Sequence, residues 1–363
     1  MKRINISLLS LMLLVTLFTL FSCSKTSLSY SQDGDWVTRA AFGGRARGEA
    51  VSFTIGNYAY VATGYDPQNP NVRLTDTWKF DPSGSTGTWR NQEADYPVGQ
   101  SQATGRSQAV AFVCNNGLAY VGSGYDGYTA LSDFYSYDPV ANAWTAIAPL
   151  ADNIKTYPRY DAVAFGIQDT GYVMTGSLDQ SNLWGDVWSY YPGTNTWTQS
   201  VSFPGQARTQ AVAFTYKDRG YVVTGVANNT QLYDFYLFDP AKPDSSKWFQ
   251  LRNIANTSSD TYDDGYVNIV RQNAVAFVML GVRDGDLAYL TTGKNGSLYT
   301  TTWEYYFAND TWKEKTPLEA GAREGAVAFT VRNRGYVSTG LSGTTAYSDL
   351  YEWHPDSVQI TGN

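Results

Sequence analysis

The sequence predicts an all-β protein, a six-bladed propeller with four antiparallel strands per blade, on three observations. First, no long segment between Trp36 and Ile360 has helical period; short runs rich in Val, Tyr, Phe, Trp and Thr alternate with Gly, Asp, Asn and Pro turns. Second, one phrase is written six times: RGEAVSF from Arg47, RSQAVAF from Arg106, RYDAVAF from Arg159, RTQAVAF from Arg208, RQNAVAF from Arg271 and REGAVAF from Arg323. Third, these copies recur every 49 to 63 residues, a spacing that suits a blade and not a whole domain.

Each element of the blade has its own signature. Alternation in the AVAF segment puts both alanines on one face of the first strand and Val and Phe on the other. A small face on one blade against a large face on the next fills the taper toward the axis at native density. The second strand follows a turn: YAYVATG (58–64), LAYVGSG (118–124), TGYVMTG (170–176), RGYVVTG (219–225), LAYLTTG (287–293) and RGYVSTG (334–340). The third is DTWKFDP, DFYSYDP, DVWSYYP, DFYLFDP, TTWEYYF and DLYEWHP, most copies ending in a turn-forming proline pair. A fourth strand carries a lone tryptophan, at Trp89, Trp144, Trp197, Trp248 and Trp312.

The last blade, begun at Arg323, lacks this tryptophan, and the missing piece stands at the other end of the chain. DWVTRAAF (35–42), with Trp36, precedes the first Arg-led phrase. The expectation is that this strand completes the last blade and closes the ring without an interior edge. Residues 35–360 then form one domain.

The chain opens on Lys2 and Arg3, an apolar run from Ile4 to Phe21, and LFSC, the pattern of a secretory signal. Leu20-Phe21-Ser22-Cys23 resembles the bacterial lipobox, which implies a signal peptide over 1–22 and an acylated Cys23. With Ser24 next to it, the expected product is an exported outer-membrane lipoprotein, held by lipid alone on a stalk over 23–34. The net charge of −7 becomes two units more acidic once Lys2 and Arg3 are removed. That argues against nucleic-acid binding, which wants a basic face. Cys114 is then left without a disulfide partner and is expected to be a buried, inert thiol. A monomer is expected.

The four-strand pattern resembles the Kelch repeat over essentially the whole mature chain. It departs from that family at one place: the Gly-Gly doublet after the second strand is Thr-Gly or Ser-Gly here, as in Thr63-Gly64 and Ser123-Gly124. Partner domains of the eukaryotic Kelch adaptors are not expected here. Kelch-type propellers include a copper radical oxidase resembling galactose oxidase, but that chemistry needs two histidines, and this chain has only His354. Zinc sites fail for the same want of ligands, and no Ser-His-Asp set can be assembled. The acidic SSDTYDDG (258–265) breaks the calcium-loop pattern at Tyr262, so a solvated loop is expected there. Neither a cofactor nor a metal is expected.

Candidate site residues follow from position. Arg47, Arg106, Arg159, Arg208, Arg271 and Arg323 enter the inner strands and are expected to ring one mouth of the central channel. Tyr65, Tyr125, Ser177, Val226, Lys294 and Leu341, each following a second-strand glycine, should lie at that same mouth. The resemblance implies that these two classes of position line the ligand pocket, although arginines present in every blade also suit blade architecture. Ligand-binding candidates are therefore the six arginines with Tyr65, Tyr125 and Lys294. The tryptophans fill repeat slots and are read as core; the tyrosines outside those slots (Tyr65, Tyr125, Tyr128, Tyr157, Tyr160, Tyr262, Tyr266) are read as informative. The loops 90–105 and 249–270 are the other features that differ between blades.

Two functions are expected from this arrangement. The leading one is a non-catalytic propeller presenting an Arg/Tyr-lined pocket to an anionic glycan or an acidic protein or peptide, with no catalytic residue assigned. The alternative is a cofactor-free sugar mutarotase or epimerase. A six-bladed bacterial Kelch propeller that is a sialic-acid mutarotase implies it, and Glu49, Asp161 or Glu324 offer acid–base groups.

Overall fold

In every blade the phenylalanine of the Arg-led phrase stands directly across the ladder from the tyrosine of the second phrase. The pairs are Phe53 with Tyr60, Phe112 with Tyr120, Phe165 with Tyr172, Phe214 with Tyr221, Phe277 with Tyr289 and Phe329 with Tyr336. Their ring centroids lie 5.1–5.7 Å apart, close enough for the cross-strand aromatic contact that stabilises antiparallel pairs. The repeated F and Y are one repeated interaction.

The computed structural model describes residues 33–99, 105–179, 181–283 and 285–359. They form six four-stranded antiparallel sheets. Blade 1 runs Val51–Ile55, Tyr58–Ala62, Thr77–Asp81 and Thr88–Arg90 from the axis outward, and blades 2 to 5 repeat that order. Blade 6 takes Val327–Val331, Arg334–Ser338 and Leu350–His354 from the C-terminal part of the chain and its outer strand, Asp35–Thr38, from the N-terminal part. The expected closure is present, with Trp36 opposite Trp353 and Thr38 opposite Tyr351. Trp36 lies 4.9 Å from Trp353, the same fourth-to-third-strand contact that Trp89 makes with Phe80 and Trp144 with Tyr137, at 4.9 and 4.8 Å.

The strand is shorter than the segment 35–42. Beyond Thr38 the chain leaves the ladder: the Ala40 N–H bonds to Thr86 O, and the Trp89 indole N–H to Ala40 O. Phe42 is buried against Trp78 and Trp89 of blade 1. Residues 39–44 thus bridge the last blade to the first.

Blades pack as the alternation implies. Ala211 and Ala213 of blade 4 lie against the Val163–Phe165 core of blade 3, and Ala109 and Ala111 against Val51 and Phe53. The second strand is also small where a neighbour's phenylalanine arrives. A Cβ on Gly171 would stand 2.0 Å from Phe112 Cε2, and one on Gly220 2.2 Å from Phe165 Cζ. Cys114 is buried, and burial pushes its thiol up to about 12, so it is inert.

Described residues of both distinctive loops reach into the core. Ile254, Tyr266 and Ile269 fill the blade 5 core, and the Tyr266 hydroxyl accepts from the Trp312 N–H at 2.6 Å. Asp263 is wholly buried and accepts from Thr257 N–H, Ser258 N–H and the Ser258 hydroxyl. The acidic stretch is otherwise largely exposed, as expected of a solvated loop, and is stapled through Asp263. In 90–105, Tyr96 is buried and donates to Val121 O at 3.1 Å.

Candidate functional site

Two closed circuits of backbone hydrogen bonds encircle the axis at one mouth. In the first, the residue two beyond each blade arginine donates to its counterpart in the preceding blade. Glu49, Gln108, Asp161, Gln210, Asn273 and Gly325 are joined in order at 2.7–3.1 Å, and Glu49 N–H returns to Gly325 O. All six have φ between 50° and 58°, the left-handed conformation. In the second circuit, the glycine ending each second phrase donates to the arginine carbonyl of the next blade, from Gly64 to Arg106 and finally Gly340 to Arg47. Gly64 has φ 96° and the preceding Thr63 φ 64°. Both residues of the doublet are left-handed, which is why the family's pattern has glycine at both and why threonine here carries strain.

The six arginines enter this mouth, but their side chains turn away from it. Arg47, Arg106, Arg159, Arg208, Arg271 and Arg323 are all fully buried. Five clamp bidentately on the aspartate that opens the third strand: Arg47 on Asp76, Arg106 on Asp133, Arg159 on Asp186, Arg208 on Asp234 and Arg323 on Asp349. Four of these clamps measure 2.6–2.9 Å. Each of the five also donates to the carbonyl of the left-handed Thr or Ser, as Arg47 does to Thr63 O at 3.0 Å. In blade 5 the aspartate is replaced by Thr301, and Arg271 bonds to Thr301 Oγ1 and to the carbonyls of Asn268, Ile269, Thr292 and Thr301. The expectation that these guanidinium groups line a ligand pocket is corrected: they are consumed inside the blades. The signal was in the sequence, because an aspartate opens five of the six third phrases.

The mouth belongs instead to the residues flanking the arginines. Isolated bridges pair Gly48 with Tyr65, Ser107 with Tyr125, Tyr160 with Ser177, Thr209 with Val226, Gln272 with Lys294 and Glu324 with Leu341, placing Tyr65, Tyr125 and Lys294 where expected. Tyr125 packs on Tyr160 at 5.2 Å. A cation absent from the sequence-based candidates, Arg73, lies 4.7 Å over the Tyr65 ring and 5.8 Å from that of Tyr125. It donates to Ser107 Oγ and Pro70 O. Of the other singled-out tyrosines, Tyr128 is exposed on the loop after Tyr125, Tyr157 is buried against Trp184 and Trp188, and Tyr262 lies beneath Arg252.

Below this level the first circuit's side chains line a cavity of about 110 Å³ floored by alanines. Gln108 and Gln210 both donate to Asp161 Oδ2, at 2.8 and 3.1 Å. Gln272 donates to Gln210 Oε1 and Gln231 to Gln272 Oε1. Asn273 and Lys294 both bind Glu324, the lysine at 2.9 Å. Burial, then repulsion from Asp161 and Glu324, pushes the Glu49 carboxyl up to about 8. Burial above all pushes Asp161 up to about 7, against the stabilising bond from Gln210. The channel then narrows between alanine-rich strands and opens at the opposite face into a cavity of about 990 Å³ that includes Asn115, Gln168, Lys217 and Asn333. No group of His, Cys, Asp and Glu among the described residues is arranged to hold a metal ion.

This architecture defines the class, a six-bladed propeller with repeats locked by arginine–aspartate clamps. The chain belongs to the Kelch-repeat family: the KLHDC2/KLHL20/DRC7 Kelch-repeats domain matches residues 54–277. Kelch-like protein 35 of Mus musculus is 24% identical over 212 residues, covering 47% of this chain. The match spans about a third of that relative's length, 33%. Among solved structures, that of YjhT superposes with a TM-score of 0.65 at 15% identity, covering 90% of this chain and 98% of the other. That likeness establishes the shared fold.

Proposed function

We propose that the protein is a ligand-binding propeller that takes a hydroxyl-rich ligand, a sugar, at the mouth ringed by Glu49, Gln108, Asp161, Gln210 and Asn273. The observation that carries this reading is the composition of that mouth. Amides and carboxyls that both donate and accept converge below a wall of Tyr65, Tyr125 and Tyr160, the pairing of polar floor and aromatic side that a sugar's hydroxyls and C–H face require. The expectation of an anionic ligand rested on the six arginines and goes with them. Saturation-transfer NMR with a panel of monosaccharides tests the reading; Tyr125→Ala should remove the signal while the circular dichroism spectrum stays unchanged. A panel with no binder would overturn it.

A second reading, a cofactor-free sugar mutarotase or epimerase, is favoured by Glu49 at about 8 and Asp161 at about 7. Opening a hemiacetal ring needs one group to protonate the ring oxygen as its bond to the anomeric carbon breaks and another to take the proton of the anomeric hydroxyl. Burial brings both carboxyls toward neutral pH, where such groups exchange protons most readily. Line broadening between anomers of a bound sugar, lost in Glu49→Gln and Asp161→Asn, would support catalysis; binding without exchange would leave a binding module.

Export and acylation at Cys23 complete the reading. The segment 1–22 and Cys23 lie outside the described residues. Cys23→Ala should shift the protein from the membrane to the soluble fraction, and retention after a carbonate wash would sink the lipid anchor.

A further inference from the structure

Resting on the sugar reading, we infer that the cavity beneath the mouth takes the free ammonium group of an amino sugar, held by Glu49 beside the gap at Gly325. Around the first circuit nearly every polar side chain already has a partner. Asp161 is held by Gln108 and Gln210, the glutamine chain runs on to Gln272 and Gln231, and Glu324 is held by Asn273 and Lys294. The exception among the described residues is Glu49, half-buried on the cavity wall, whose carboxyl has no hydrogen-bond partner within the protein. Its neighbour in the circuit is Gly325, the one member without a side chain. A Cβ there would stand 3.0 Å from Glu49 Cγ and 3.6 Å from Asn273 Nδ2. The ring is therefore interrupted next to its one unsatisfied carboxyl.

Charge points the same way. Glu49, Asp161 and Glu324 share the mouth with Lys294 and Arg73, and Tyr65 faces Glu49 as a neutral phenol. Lys294 is spent on Glu324, 2.8 Å away, and Arg73 donates to Ser107 and Pro70 and stacks on Tyr65. An incoming cation relieves the repulsion among the three carboxyls, and an incoming anion adds to it. The cavity of about 110 Å³ holds a few water molecules or one ammonium-bearing carbon, not a whole sugar ring. The ring is left at the level of Tyr65, Tyr125 and Tyr160. Burial and its carboxyl neighbours hold Glu49 protonated at neutral pH in the empty site, so an ammonium displaces that proton and binding releases it to solvent.

Titration calorimetry at pH 7 with glucosamine, galactosamine and mannosamine, each against its parent hexose and its N-acetyl derivative, tests the inference. At least one free amine should bind about tenfold more tightly than both of its counterparts, the worth of one charge-assisted hydrogen bond. Its binding heat should vary with the ionisation enthalpy of the buffer, since a proton is released. Glu49→Gln should reduce the preference to within about twofold. That variant is compatible with the fold because Gln108 and Gln210 hold the same circuit position at nearly the same φ, 55° and 54° against 54°. Tyr125→Ala should weaken amine and parent sugar alike. Equal affinities for amine and parent, or a preference that survives Glu49→Gln, would overturn the inference and leave the sugar reading standing. Failure of every sugar to bind would remove both.

Discussion

Arg271 is the blade arginine that has lost its carboxylate, and it shows what the other five clamps do. Each of its N–H groups meets an oxygen, so no donor is orphaned, but among the described residues no carboxylate touches the buried charge, and burial pushes its guanidinium down to about 9. Thr301 stands where Asp76, Asp133, Asp186, Asp234 and Asp349 stand in the other blades. Thr301→Asp is therefore expected to raise stability by roughly 1–3 kcal/mol, the worth of hydrogen bonds to a charged group. Asp133→Ala, which strands Arg106, should cost about 3–5 kcal/mol. Chemical denaturation of the two variants measures both. If both changes were neutral, the clamps would add nothing beyond their neutral hydrogen bonds.

At the level of the strand, the element with the most consequence is Asp35–Thr38. Trp36 is fully buried, stacks with Trp353, and donates to Thr316 O and Thr302 Oγ1 of blade 5, so it ties the N-terminal segment to two blades at once. Lys315, buried with Glu304 at 3.1 Å, also reaches Asp33 at 3.7 Å. Trp36→Ala should cost about 3–5 kcal/mol and lower the thermal midpoint of the whole domain in one transition. A first transition confined to blade 6 would show instead that the ring does not unfold as a unit. Strand order, closure and blade number were legible in the sequence because each strand type carries its own residue pattern, six times over. The direction of the arginine side chains was less so: the phrase marks where they enter, and only their pairing with the repeated aspartates shows that they turn inward. The Glu49, Asp161 and Glu324 positions were read correctly as neighbours of the mouth. Arg73 and Gln231 were missed because the slot they share, opposite the residue after the second-strand glycine, changes its residue type from blade to blade.

Over the whole molecule, inward convergence gathers carboxyls at the axis, and this sets how stability responds to pH. Glu49 and Asp161 ionise in the unfolded chain near their ordinary values of 4.5 and 3.8, but in the folded protein only near 8 and 7. Between those limits the folded state holds more protons than the unfolded one, so stability present in acid is lost as pH rises through the folded values. Glu352 works in the opposite sense. Burial would raise its pKa, but His354, Arg334 and Arg39 hold it well below the carboxylate range. Its contribution is fully present above 4.5 and is lost only in strong acid. Stability of the ligand-free protein should therefore peak in mild acid and decline from about pH 5 to pH 8.5. In Glu49→Gln/Asp161→Asn, whose new side chains match those of Gln108 and Asn273 on the same circuit, that decline should flatten. The difference between the two thermal-midpoint curves cancels the groups that behave alike in both proteins. Parallel curves would mean that the two carboxyls titrate as though in water, and the mouth would then be an open, solvated rim with no special hold on a proton.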